Sequence, residues 1–189
     1  MRFTFAAALG GLALLAATTA SAGEITDAAA KSEALLDEGK SIDAVVAMDQ
    51  AVGRMWDRLP LSFLETHIVT AQPAGYGSYQ IHPTGRFKPG EQILVYAELA
   101  GFGYGRDGDL FVIELDADVE LRTPEGKILG GQANFAHFSY RSRVPNREFF
   151  AVMTYNFTGF AAGDYVVVTR LRDKNTSKTG EFQLPFAFE

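Results

Sequence analysis

The sequence predicts a mostly β protein, with an N-terminal helical hairpin leading into an antiparallel sandwich or barrel. Three observations predict it. From Ile25 to Leu59 apolar residues recur at spacings of three and four, the period of one helix face. From about Leu64 to Glu189 the period drops to two, and clusters of Gly, Pro, Asn and Asp break the pattern at short intervals. No helical stretch separates the β segments, which argues against an alternating α/β chain with a parallel sheet.

The first residues set the expected address. The chain opens MRFTF, continues AAALGGLALLAATTA and reaches Ala20-Ser21-Ala22. One Arg, an apolar run too short to span a bilayer and an A-x-A end describe a secretory signal peptide over residues 1–22. Cleavage after Ala22 leaves an exported chain, periplasmic or secreted. No Cys stands near the cut, so a lipoprotein is not expected, and no later stretch is apolar enough for a membrane span after signal removal. The formal net charge is −6, and losing Arg2 takes it to −7. That balance argues against nucleic acid as a partner and against a polybasic hold on anionic lipid. With no Cys anywhere, the protein folds on its apolar core without disulfides. The Ala-rich leader and the missing Cys fit a bacterial envelope protein.

The hairpin is expected over residues 23–60. Thr26 or Asp27 can start a first helix carrying Ala28, Ala29, Leu35 and Leu36 on one side, and Gly39 can stop it in the left-handed conformation. Ser41 can cap a second helix, with Asp43 in its first turn where the helix dipole favours an anion. Val45, Met48, Val52, Met55 or Trp56, and Leu59 then form one apolar stripe, which Pro60 ends. The run Gly39-Lys-Ser-Ile-Asp-Ala44-Val-Val-Ala-Met48-Asp-Gln-Ala51 resembles the second half of a tetratricopeptide repeat. It covers one hairpin, without the further copies that a solenoid needs, so the family's peptide groove is not carried over.

Strands are expected at Glu65–Ala71, Gln92–Gly101, Leu110–Arg122, Ile128–Ala133, Phe135–Arg143, Glu148–Phe157, Tyr165–Asp173 and Glu181–Phe188. In AAGDYVVVTRLRD a Gly-Asp turn precedes Tyr165 at the head of a strand. That resembles the tyrosine corner of immunoglobulin-like sandwiches, in which the phenol ties back to nearby backbone. Val167 stands where such domains place their second core cysteine. Residues 64–189 are thus similar to the immunoglobulin-like β-sandwich domains of bacterial envelope proteins, a likeness that implies fold and not activity.

Candidate sites follow from residue chemistry. Glu114, Asp116, Asp118 and Glu120 make a row of carboxylates on one face of a strand. A straight strand cannot wrap six to eight oxygens round a calcium ion, so cross-strand partners such as Arg141, Arg143, Arg170 and Arg172 are expected. In the loop Gly101–Asp109, Asp107 and Asp109 offer two oxygens to a cation, and Phe102 and Tyr104 offer rings to a sugar or a partner. His67, His82 and His137 lack zinc-ligand spacing, and His137 is expected to be a hydrogen-bonded structural residue. Among Phe149, Phe150, Tyr155 and Phe157, only Phe150 has the parity of an outward ring. There is no nucleophile elbow, no Cys/His set and no phosphate loop. No cofactor or metal is implied.

These features point to a non-enzymatic, exported binding or assembly module of the cell envelope, engaging a protein partner through loop ends, a sheet edge or a docking face at Val45, Met48 and Trp56. The alternative is a carbohydrate-binding sandwich using exposed aromatic rings such as Phe102 and Tyr104.

Overall fold

A computed structural model describes residues 23–189. The expected signal peptide, residues 1–22, lies outside the described residues. The chain is mostly β and divides into two compact units, the second beginning at Val52.

The first unit is a helix pair. Helix α1 spans Glu24–Asp37 and helix α2 spans Ser41–Arg58, its last turns lying beyond the unit boundary. Both begin slightly before the expected caps. The Gly23 carbonyl accepts the Asp27 amide at 3.0 Å, and the Lys40 carbonyl accepts the Ala44 amide at 3.0 Å, so Ser41 is already helical. Gly39 stops α1 as expected, at φ 74. Its amide donates to the Leu36 carbonyl at 2.9 Å and that of Lys40 donates to Leu35 at 2.8 Å, a Schellman closure that satisfies two terminal carbonyls.

The face of α2 that packs on α1 is made of small residues. Ala44, Ala47 and Ala51 are buried, as are Ala28 and Ser32 of α1, whereas Val45 and Met48 are exposed. Small side chains let two backbones approach closely enough for the Ser32 hydroxyl to donate to the Ala44 carbonyl at 2.8 Å. Close helix separation selects Ala for that interface and leaves Val45 and Met48 outside it.

The second unit holds nine strands in two sheets. Strands β1 (Ser62–Val69), β3 (Ile93–Ala100) and β7 (Phe150–Tyr155) form an antiparallel sheet in the order β1-β3-β7. The larger sheet runs β2 (Arg86–Phe87), β9 (Thr179–Phe188), β8 (Gly163–Asp173), β5 (Leu110–Arg122), β4 (Gly105–Asp107), with β6 (Ile128–Ser142) also paired to β5. It is antiparallel except where β2 joins β9 in parallel register, and it curls like half a barrel. One apolar cluster takes Ile93, Val95, Ala97 and Leu99 from the small sheet and Ile113, Leu115, Val167 and Phe186 from the large one. Alternation on β5 buries Ile113, Leu115, Ala117, Val119 and Leu121, as the period-two pattern requires.

Trp56 belongs to this core and not to a docking face. Its indole N–H donates to the Phe102 carbonyl at 2.8 Å, and the two rings meet edge to face at 5.0 Å. Lys178 Nζ ties the same corner by donating to the carbonyls of Asp57 at 2.9 Å and Gly101 at 2.7 Å. That is why the end of α2 belongs to the β unit and a break at Pro60 does not describe the packing.

Candidate functional site

The row of carboxylates on β5 is a structural ladder with one consequential rung. Asp116 accepts from His137 Nδ1 at 2.8 Å and lies 3.4 Å from Lys174 Nζ, while Glu120 pairs with Arg122. Asp118 makes a two-pronged pair with Arg172, 2.9 Å to each oxygen, and its Oδ1 also accepts the Asn134 amide at 2.8 Å. These donors hold the Asp118 carboxyl below the ordinary carboxylate range, the Arg172 side chain contributing most; Asp116 is lowered likewise, chiefly by His137. Of the other expected partners, Arg170 pairs with Glu181 and Arg141 with Asp107.

Asn134 shows what the ladder holds. It sits at φ 51, the one non-glycine residue with positive φ among those described, where β6 slips register against β5 between Ala117 and Val119. A bulge there fuses the two expected strands into one long, bent strand. Its side chain accepts from Arg172 at 2.7 Å. With the bulge fixed, Phe135 and Ala136 both pack against the core.

Beyond the bulge lies a cleft of about 300 Å³. It opens between the first half of β6 and the segment that follows β7. Its floor is Val119 and Leu121, one wall is Gly130 and Gly131, and the other is aromatic. The ring of Phe135 stacks on Tyr155 at 5.2 Å and 9°, Tyr155 on Phe157 at 5.8 Å and 5°, and Phe157 on Phe186 at 5.8 Å and 11°. Phe160 stands edge-on to Phe157. Gln132, Asn156 and Thr158 supply polar groups, and no charged residue lines the cleft. Burial holds the Tyr155 phenol well above its usual range, and its hydroxyl meets that of Thr169 at 2.6 Å. Sequence reasoning does not single out this cleft. The available signal is Gly130-Gly131 inside a strand pattern, which marks a bulge or a close approach.

The loop expected to bind a ligand is a joint. Phe102 is completely buried, so its ring cannot face a sugar or a partner. Tyr104 packs edge-on against Phe102 and Phe111, and its hydroxyl donates to the Asn146 carbonyl at 3.0 Å. A β-carbon at Gly101, Gly103 or Gly105 would collide with Pro60, Thr176 or Asn175 respectively, so these glycines mark close approaches and not mobility. Asp173, buried, accepts the Gly103 amide at 2.6 Å and the Thr176 hydroxyl at 2.7 Å. Asp107 ends the short strand β4, and Gly108 at φ 58 turns the chain back through Asp109 into β5. Arg141 donates to Asp107 at 3.2 Å.

The histidines occupy three separate settings. His67 bonds Glu65 at 2.7 Å and stacks on Tyr79; His82 lies over Phe87 and accepts the Gly85 amide; His137 bonds Asp116. Phe150 does face outward from the small sheet, against Tyr96. On that face Tyr96 donates to the buried Glu98 at 2.6 Å and accepts the Gly77 amide at 2.8 Å, which fastens the β1–β2 loop across the sheet.

No family model and no curated protein matches this chain. Among solved structures, it is similar to the Pseudomonas fluorescens alkylpurine DNA glycosylase AlkC bound to DNA containing an abasic site analog. The likeness has a TM-score of 0.36 and 8% identity, over 82% of this chain and 40% of that one. That neighbour is an enzyme on DNA, so the expectations of a non-enzymatic protein and of no nucleic-acid partner are withdrawn. At that similarity it assigns neither property to this chain. No described helix is long and apolar enough to cross a membrane.

Proposed function

We propose that this protein is an exported binding and assembly module of the bacterial cell envelope, which recruits a protein partner through the exposed face of its helix pair. The observation that carries the proposal is the coincidence of an apolar face with a concentrated charge. Ile42, Val45, Val46 and Met48 are exposed on α2, Val45 at 65% and Ile42 at 78%, and Leu36 is exposed on α1. Residues 23–51 carry seven carboxylates against Lys31 and Lys40, a net −5, while residues 52–189 carry a net −2. Two short helices bury little on their own, and an exposed apolar face rimmed by charge is the usual mark of a docking surface. The complementary partner is a basic amphipathic segment laid along α2. Trp56, buried, is no part of that surface.

Export rests on the leader and its A-x-A end. The β unit is best regarded as an immunoglobulin-like sandwich. In its support, the order β1-β3-β7 parallels that of strands A, B and E, and the order β5-β8-β9 that of C, F and G. The Tyr165 hydroxyl donates to the Ala161 carbonyl at 2.8 Å, the geometry of a tyrosine corner, and Val167 two residues on is fully buried.

The test is capture from envelope extract with the protein and its Val45→Lys/Met48→Lys variant. A partner that binds at low salt, is lost from the variant and is released by moderate salt supports the proposal. Equal capture by both proteins refutes it.

A further inference from the structure

The cleft between β6 and the segment after β7 is independent of the helix pair, and its chemistry selects a ligand. We infer that it binds one pyranose ring of a neutral saccharide. Ligand sites begin at about 300 Å³ and combine apolar walls with a few placed polar groups. This cleft has that size, and the rings its wall exposes are those of Phe135, Phe157 and Phe160, with buried Tyr155 stacked between the first two as their support. The C–H face of a sugar ring packs on such rings, while its hydroxyls seek hydrogen bonds.

Those hydrogen-bonding groups are available. The side chains of Gln132, Asn156 and Thr158 are exposed at the mouth and make no hydrogen bond to any described residue. Amides and a hydroxyl both donate and accept, which matches vicinal sugar hydroxyls. The absence of charge from the lining excludes selection of uronic acids or phosphates, because an anion entering the cleft would lose hydration with nothing to replace it. On the opposite wall Gly130 and Gly131 keep the space open. A β-carbon on Gly131 would press on the Val119 carbonyl oxygen, whereas one on Gly130 would meet nothing within 4 Å. The exposed part of the wall is therefore flat backbone, suited to the edge of a ring.

Gly130 supplies the test. Gly130→Phe projects a ring into the cleft mouth from a position with room for it, and Gln132→Ala removes one hydrogen-bonding group from an exposed site. Saturation-transfer NMR would be run with neutral oligomers of glucose, galactose, mannose and N-acetylglucosamine at millimolar concentration, with polygalacturonate as the anionic contrast. At least one neutral oligomer should receive saturation at its C–H protons and polygalacturonate should not. Gly130→Phe should abolish the effect, and Gln132→Ala should weaken affinity roughly tenfold, both at unchanged thermal stability. Silence across the neutral panel, equal binding of polygalacturonate, or undiminished binding by Gly130→Phe would overturn the inference. Val45→Lys/Met48→Lys should bind the sugar as the parent does, so this site and the helix face fail or stand separately.

Discussion

Asp118 links three segments through one carboxylate: its own strand β5, Arg172 on β8 and the backbone of the Asn134 bulge on β6. Because these donors lower its pKa in the folded state, its contribution is fully present above the ordinary carboxylate range and disappears as pH falls through the lowered value. Asp116 acts in the same direction. Urea midpoints should therefore fall between about pH 5 and pH 2, and fall less steeply in Asp118→Ala, which should cost about 2 kcal/mol at neutral pH. Parallel acid profiles for the two proteins would show that Asp118 carries none of the effect. Glycines make a second contrast at this scale. Gly101 has φ 78 and faces the Pro60 carbonyl, so Gly101→Ala should cost about 2 kcal/mol or more. Gly130→Ala, with open space around it, should stay within about 0.5 kcal/mol of the parent by the same denaturation assay.

At the scale of elements, the end of α2 is held by the Trp56 ring and by Lys178, which donates to the Asp57 carbonyl. Trp56→Ala should cost about 3–5 kcal/mol by loss of a buried ring. Trp56→Phe keeps an aromatic edge but strips the Phe102 carbonyl of its donor, a loss of about 1 kcal/mol, readable from urea midpoints. Which elements the sequence reveals depends on how local their cause is. Leu110–Arg122 is legible to the residue, because strict alternation with one face buried fixes both the strand and its orientation. Gly39 is legible for the same reason, since its positive φ is a local demand. β6 reads as two strands because Asn134 interrupts the pattern, and only the pairing with β5 shows that it is a bulge. β4 is hidden in a glycine-rich segment whose glycines answer to distant neighbours, Pro60, Thr176 and Asn175. Of the apolar stripe on α2, Val45 and Met48 are exposed, whereas Trp56 is drawn into the β core by a contact with Phe102 that the spacing of the stripe does not show. The cleft has no local signature of its kind. Leu121 and Gly130 are paired in the β5–β6 hairpin and Phe135 follows on β6, but Phe157 and Phe160 reach the cleft from the segment after β7, which no local pattern announces.

For the whole molecule, charge is the organising fact. The helix-pair unit carries most of the net negative charge in a small fraction of the chain, and it also exposes Leu36, Ile42, Val45, Val46 and Met48. Electrostatic attraction to a basic segment would speed encounter, and burial of Val45, Ile42 and Val46 would hold the complex. The sugar cleft would give the same protein a second attachment through chemistry that salt leaves untouched. The most direct test of the assembly role is photo-crosslinking in living cells, with a photoreactive residue at position 45 and, as a control, at exposed position 183 on β9. Position 45 should crosslink to a basic amphipathic segment of an envelope protein, and position 183 should give no product with that protein. An absence of envelope crosslinks at position 45, or the same product from both positions, would contradict the assembly role.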